Sequence, residues 1–236
     1  MAASTVRRNV PVALLCVLLL AGCGGDGGGK EPTAAEIVAD AAEKTAEVKS
    51  FRFTLDVENV PASGSGLSLT SADGEVIVPD RLRAKASAIF SRIPIETELV
   101  IVGDEDYFLD PLTRRWRRLD VGTSPIAFFD PAKGVLGVIE GAVEIEAAGS
   151  ETVGGVETYR LTGKVKGRDA APLLVVSSTS DRLVDVELWI GKDDLILRRI
   201  RVRGPVGEGE PAEASRTVEI SDFGQKFEIE APEVEE

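Results

Sequence analysis

The chain has 236 residues and a formal net charge of −13, from 27 Lys and Arg against 40 Asp and Glu. With no His and two Cys, it lacks the parts for Ser-His-Asp or Cys-His catalysis and for His-bearing or Cys-rich metal sites. The acidic balance argues against nucleic acid as a partner, because counterion release needs clustered Lys and Arg.

Apolar residues make up 43 %, which is ordinary for a chain that folds. Arg7 and Arg8 precede an apolar stretch from Val10 to Gly22, 13 residues long. This is the layout of a secretory signal, and it is shorter than the roughly 17–25 residues of a spanning helix. The stretch ends in Leu20-Ala21-Gly22-Cys23, which resembles the bacterial lipobox. That resemblance implies cleavage before Cys23 and acylation of Cys23, which becomes the lipid attachment residue. Cys16, Arg7 and Arg8 leave with the signal, so the mature protein is more acidic still and has no second thiol for a disulfide. Several acyl chains hold firmly, since each buried CH₂ contributes about 0.8 kcal/mol. Residues 1–22 are therefore read as a lipoprotein signal peptide and 23–32 as the acylated Cys and a Gly-rich flexible tether. The domain is 33–236. The expected location is the extracytoplasmic face of the cell membrane, lipid-anchored.

Thr33-Ala34-Ala35-Glu36 matches a capping box, and Ile37, Ala41, Thr45 and Val48 continue at helical spacing, predicting a helix near 33–49. From Phe51 the period becomes two, as in a strand with one buried face. Strands are predicted at about 51–58, 67–78, 81–91, 93–102, 105–110 and 115–119, joined by short turns such as Gly103-Asp104. A proline-bounded aromatic loop, Ser124 to Pro131, leads to a short helix over 133–142. Strands resume at about 143–149 and 156–166, a helical candidate covers 169–176, and strands follow at about 183–190, 195–203 and 215–223. The 204–211 segment reads as a mobile polar loop, and the acidic tail from Glu228 as a fraying end. Short turns between alternating strands mean an antiparallel meander. The fold class is α+β: one domain, with a large antiparallel sheet curved around a few helices.

Several segments, in order, resemble the LppX/LprG family of actinobacterial cell-envelope lipoproteins. They are Val48-Lys49-Ser50-Phe51, Val102-Gly103-Asp104 with Tyr107, Phe129-Asp130-Pro131-Ala132-Lys133-Gly134, and Glu151 to Thr158. Val186-Glu187-Leu188-Trp189-Ile190, Leu197-Arg198-Arg199 and Ser221-Asp222-Phe223 complete the set. The resemblance implies a half-barrel sheet of the LolA/LolB kind with helices over its concave face. It further implies an apolar cavity for an acylated lipid or glycolipid, carriage of that ligand across the envelope, and an exporter as a further partner. A related half-barrel, the RseB regulator, implies the alternative of a lipid- or peptide-sensing envelope regulator. Neither role needs a catalytic group or a cofactor, and the mature chain has no G-x-S-x-G, S-x-x-K or phosphate-loop motif. The expected role is not enzymatic.

The cavity candidates are apolar and remain divided between cavity wall and core. Ile37 and Ala41 lie on the first helix, Phe53, Leu55, Leu99 and Ile101 on central strands. Leu136 and Ile139 lie on the short middle helix. Phe128 and Phe129 form either a lip over the cavity mouth or a plug beneath the loop. A pocket for a multi-chain lipid should reach the upper end of the usual range of about 300–1,000 Å³. Arg114 to Arg118 is the one basic run, and it either meets anionic headgroups or forms a solvated strand anchored by Trp116. Arg198, Arg199, Arg201 and Arg203 are expected to pair with carboxylates.

Overall fold

The computed structural model describes residues 31–61, 67–119, 131–173, 178–207 and 209–234, and statements of structure concern these residues. The first helix, α1 (Ala34–Ala46), starts where the sequence places it. The Thr33 hydroxyl accepts the Glu36 N–H at 3.3 Å while the Glu36 carboxylate accepts the Thr33 N–H at 2.7 Å. Two of the helix's four orphan donors are thereby satisfied. The helix stops earlier than predicted, because the backbone is already extended at Ser50, where β1 (Ser50–Glu58) begins.

A meander follows: β2 (Leu67–Ile77), β3 (Arg81–Phe90), β4 (Ile93–Val102), β5 (Glu105–Leu109) and β6 (Trp116–Leu119). After α2 (Pro131–Gly141) come β7 (Val143–Val153) and β8 (Val156–Lys166). The described part of the 169–176 candidate is a single α-turn, α3 (Gly167–Ala170), continued by a 3₁₀ turn over Ala171–Leu173, and 174–176 fall outside the described residues. The chain then forms β9 (Leu183–Gly191), β10 (Leu197–Arg203) and β11 (Ser215–Ser221). All eleven strands join one antiparallel sheet in the order β6-β5-β4-β3-β2-β1-β11-β10-β9-β8-β7. The last strand thus returns to pair with the first, placing β1 and β11 at the centre. A sheet of this width curls under its own twist, and here it is a half-barrel.

One inner row shows how the alternation reads in space. Leu161, Leu188, Ile200, Val218, Leu55, Ala72, Ala86 and Thr97 are successive cross-strand partners from β8 to β4. Side chains of this face form the main core together with Ile37, Val38 and Ala41 of α1 and Val135, Val138 and Ile139 of α2. The helices therefore cover the concave face. The row is also graded, with branched residues from β8 to β1 and small ones on β2 and β3.

The outer face is built on ion pairs. Trp189 is buried beneath Arg160, Arg199 and Arg201, whose guanidinium carbons lie 5.1–5.7 Å from its ring centroid, and its indole N–H donates to Glu151 at 2.8 Å. Arg199 pairs with Glu151 and Glu219, Arg201 with Glu187, and Arg198 with Asp194. Trp116 packs with Val100, Tyr107, Phe227 and Ile229 in a small outer cluster, while Arg117 pairs with Asp110 and Arg118 with Glu105. From Trp116 onward the basic run is thus a solvated strand around a packing anchor, while Arg114 and Arg115 stand exposed in the turn before it.

Two expectations fail here. The start of the acidic tail does not fray: Ile229 is 1 % exposed, its carbonyl accepts from Arg81 at 2.8 Å, and the Ser50 hydroxyl donates to the Gln225 carbonyl at 2.6 Å. Alternating apolar residues at 227 and 229 were the overlooked signal. The 204–211 segment is not a free polar loop either. Val206 is buried, and the Glu210 carboxylate accepts the Val206 and Gly207 N–H groups, each at 3.0 Å, and pairs with the buried Arg216.

Candidate functional site

The site expected from the sequence is the apolar seam between α1, α2 and the concave face. α1 presents a narrow stripe, Ile37, Val38 and Ala41, that is buried throughout. α2 turns Val135, Val138 and Ile139 toward the same core. Its glycines take the other contact. A Cβ on Gly134 would lie 2.5 Å from the Leu173 nitrogen and 2.7 Å from its Cα, and one on Gly137 2.9 Å from the Asp169 carbonyl. At spacing i, i+3 and i+7, Gly134, Gly137 and Gly141 form a face on which the 169–173 segment lies directly, by its backbone at Gly134 and Gly137 and by the Asp169 side chain at Gly141. The glycines that weaken α2 by propensity are what let it dock.

Of the ten cavity candidates, seven sit together in the buried core cluster: Ile37, Ala41, Phe53, Leu55, Leu99 and Ile139 deep within it, and Ile101 packed half-buried against it. Leu136 is half-buried and lines a cavity. Phe128 and Phe129 fall outside the described residues, as does Cys23. The cavity at Leu136 lies between the end of α1 (Thr45, Ala46, Val48), α2 (Val135, Leu136), Phe51, Val78, Ile220 and Phe223. Its walls are almost wholly apolar, and the Thr45 hydroxyl is turned to the Leu197 N–H at 3.5 Å. Its volume is about 40 Å³, room for little more than one water and well below the size expected for a lipid pocket. A larger hollow of about 520 Å³ lies on the outer face among Arg52, Asp73, Arg83, Lys85 and Glu98, whose charges suit polar contacts.

Sequence reasoning overlooked part of the concave wall. Ala72, Gly74, Ala84, Ala86 and Ala88 occupy inward positions on β2 and β3. The alternation Ala84-Lys85-Ala86-Ser87-Ala88 was legible as a strand whose buried face is small, and small side chains thin this half of the wall.

The groups with displaced proton affinities lie elsewhere. The Glu36 carboxyl is lowered by its cap bonds to Thr33, and Asp110 by the N–H groups of Thr113 and Leu112. Glu151 is lowered by Trp189, ahead of Arg199, and the Tyr107 phenol is raised by Glu105. Each belongs to a cap, a turn or the outer face. Among the described residues no group of three Asp, Glu, His or Cys is placed to hold a metal ion, and no helix is long and apolar enough to cross a membrane. What the seam offers is apolar surface.

Comparison with known proteins bears on the family and the fold. The profile of the LppX_LprAFG lipoprotein family matches residues 33–229. The lipoarabinomannan carrier protein LprG of Mycolicibacterium smegmatis is 24 % identical over 237 aligned positions, covering 96 % of this chain and 96 % of LprG. The crystal structure of LprF from Mycobacterium bovis superposes with a TM-score of 0.64 at 16 % identity, over 84 % of this chain and 96 % of LprF. That of the lipoprotein LppX from Mycobacterium tuberculosis gives 0.59 at 18 %, over 84 % and 98 %.

Proposed function

The chain belongs to the LppX_LprAFG lipoprotein family, and from that premise we propose that it is an envelope lipoprotein that holds an acylated lipid or lipoglycan between its helices and its sheet. The observation that carries this reading is the uncharged seam of α1, α2, Phe51, Ile220 and Phe223 around Leu136. A carrier must give an acyl chain a dry surface, and little else. A chain of about 16 carbons gains on the order of 12 kcal/mol on leaving water, at about 0.8 kcal/mol per CH₂. A cavity of about 40 Å³ must widen to take it, so loading is coupled to movement of a wall. α2 is that wall in this reading, carried with the 169–173 segment seated on its glycines, while the sheet stays fixed. Ile37, Ala41, Phe53, Leu55, Leu99, Ile101 and Ile139 line the widened space in this reading, and Phe128 and Phe129 keep their assignment to its mouth on the sequence pattern alone. Carriage of the ligand to an exporter completes the role, and the name of the LprG relative, a lipoarabinomannan carrier, supports a lipoglycan as cargo.

In the same reading, residues 1–22 are removed and the acylated Cys23 anchors the 33–236 domain to the outer face of the cell membrane. Cys23→Ser is expected to release the protein into the soluble fraction, because the acyl chains hang on that sulfur. Retention in salt-washed membranes would contradict the anchor.

Leu136→Glu tests the seat. A half-buried side chain at the cavity edge can turn a carboxylate to solvent or take a raised pKa, so the melting temperature should fall by only a few degrees. Lipid recovered in organic extracts of the purified variant, identified by mass spectrometry, should drop sharply against the parent. A folded variant with undiminished lipid would remove Leu136 from the site. Peptide in place of lipid in the parent would point to a regulator.

A further inference from the structure

We propose that one rim of the half-barrel, the strand ends bearing the β3–β4 and β5–β6 turns, is a docking surface for an anionic bilayer. The antiparallel register makes the rims unambiguous. Val143, Lys164, Asp185, Arg203, Ser215 and Glu58 are successive cross-strand partners at one end of the sheet, and Leu69, Ala88 and Ile95 continue that end through β2–β4.

The exposed large apolar side chains are segregated to this end. Phe90 is 49 % exposed, Ile93 62 % and Leu112 88 %, with Val143 and Leu183 also exposed. The remaining exposed large apolar residue among those described, Val234, lies in the tail. Phe90 and Ile93 face each other across the β3–β4 hairpin, yet both stay exposed to a large extent, and such a grouping of exposed apolar side chains marks a contact surface.

Cations occupy the same turns. Arg92 and Arg114 are exposed and hold φ of 70° and 56°. That left-handed region favours glycine or asparagine, and the β3–β4 hairpin also holds Ser91 at 47° where Asn-Gly would be the unstrained choice. Arg115 is exposed beside Arg114. Of the nearby carboxylates, Asp110 is engaged by the N–H groups of Leu112 and Thr113 and by Arg117; Asp73, Glu96 and Glu98 border the same hollow as Arg114, and farther along the rim Asp185 is paired with Lys164. The opposite rim carries Asp80, Asp104, Asp193 and Asp194 in its turns and no exposed large apolar residue among those described.

Arginine beside apolar tips fits a surface with phosphate at the headgroup level and hydrocarbon beneath. The rest of this acidic chain is repelled by such a surface, which fixes the orientation. Docked this way, the protein turns its acidic rim and the Leu136 cavity away from the bilayer. The inference is independent of what that cavity holds.

The test uses the full chain reconstituted in vesicles whose acyl chains carry bromine, a contact quencher of tryptophan. Phe90→Trp and Asp193→Trp place reporters on the two rims, read as differences from the parent with its Trp116 and Trp189. Phosphatidylglycerol-rich vesicles should quench the reporter at position 90 and spare that at 193. Phosphatidylcholine vesicles, or salt that shortens the Debye length to about 3 Å at 1 M, should reduce the quenching. Adding Arg92→Glu and Arg114→Glu should weaken docking about fivefold for each lost attraction. Equal quenching at both rims, or none at position 90, would overturn the proposal. So would a signal at 90 that changes with protein concentration without vesicles, which would assign the rim to a second copy.

Discussion

Glu210→Ala is expected to destabilise the domain by about 3–5 kcal/mol, the usual effect of removing one partner from a buried ion pair. Arg216 is 3 % exposed, so its guanidinium cannot turn to water when Glu210 is lost. The substitution also orphans the Val206 and Gly207 N–H groups that the carboxylate accepts. For a domain of this size the melting temperature should fall by roughly 6–20 °C. Adding Arg216→Met should recover much of the loss, because the double variant leaves no buried charge unpaired. The effect is pH-dependent. Burial raises the Glu210 carboxyl, but the Arg216 hydrogen bond, the Gly207 N–H, the Arg216 charge and the Val206 N–H together hold it below its ordinary value. A carboxyl depressed on folding stabilises above its unfolded pKa, and that contribution is lost as pH falls through the folded value. The gap between parent and variant should therefore be full at neutral pH and narrow below about pH 4. A constant gap in thermal melts across that range would contradict the pairing.

Gly134→Ala is expected to destabilise as well, although helix propensity alone argues the reverse. In an exposed helix interior, Gly to Ala gains about 1 kcal/mol. Here the new methyl would stand 2.5 Å from the Leu173 nitrogen and 2.7 Å from its Cα and Cβ. Backbone on the far side cannot yield as a flexible side chain does, so α2 must lift from the 169–173 segment, at a cost typical of overpacking, about 1–3 kcal/mol. The steric effect should win, giving a lower denaturation midpoint. A raised midpoint would mean that α2 rides free of that segment.

Much of the fold was legible because one face of each long strand is buried. Phe51, Phe53 and Leu55 alternate with Arg52, Thr54 and Asp56, and every predicted strand from β1 to β11 is present to within a few residues, β7 being longer than read. The family was legible too, from short segments kept in order. What the sequence could not reveal was long-range. Helix propensity marks Gly134 and Gly137 only as weakening, and their contact with Leu173 and Asp169 depends on segments far along the chain. Glu210 read as loop solvent because Arg216 lies beyond the turn that brings it back. The tail looked acidic, but Phe227 and Ile229 face an outer cluster around Val100 that no local pattern announces. The apolar candidates were the hardest, since Phe53 and Leu136 have the same chemistry and differ only in which one borders a space.

The central claim is that acyl chains enter between α2 and the concave sheet. Photocrosslinking of the purified full chain with a lipid bearing a diazirine along its acyl chain measures this directly, with adducts mapped by peptide mass spectrometry. Adducts should concentrate on α2 around Leu136, on Phe51 and on Ile220 to Phe223, and should be displaced by unlabelled lipid. Adducts confined to the outer face around Trp189 and Trp116, or undiminished by competing lipid, would contradict it.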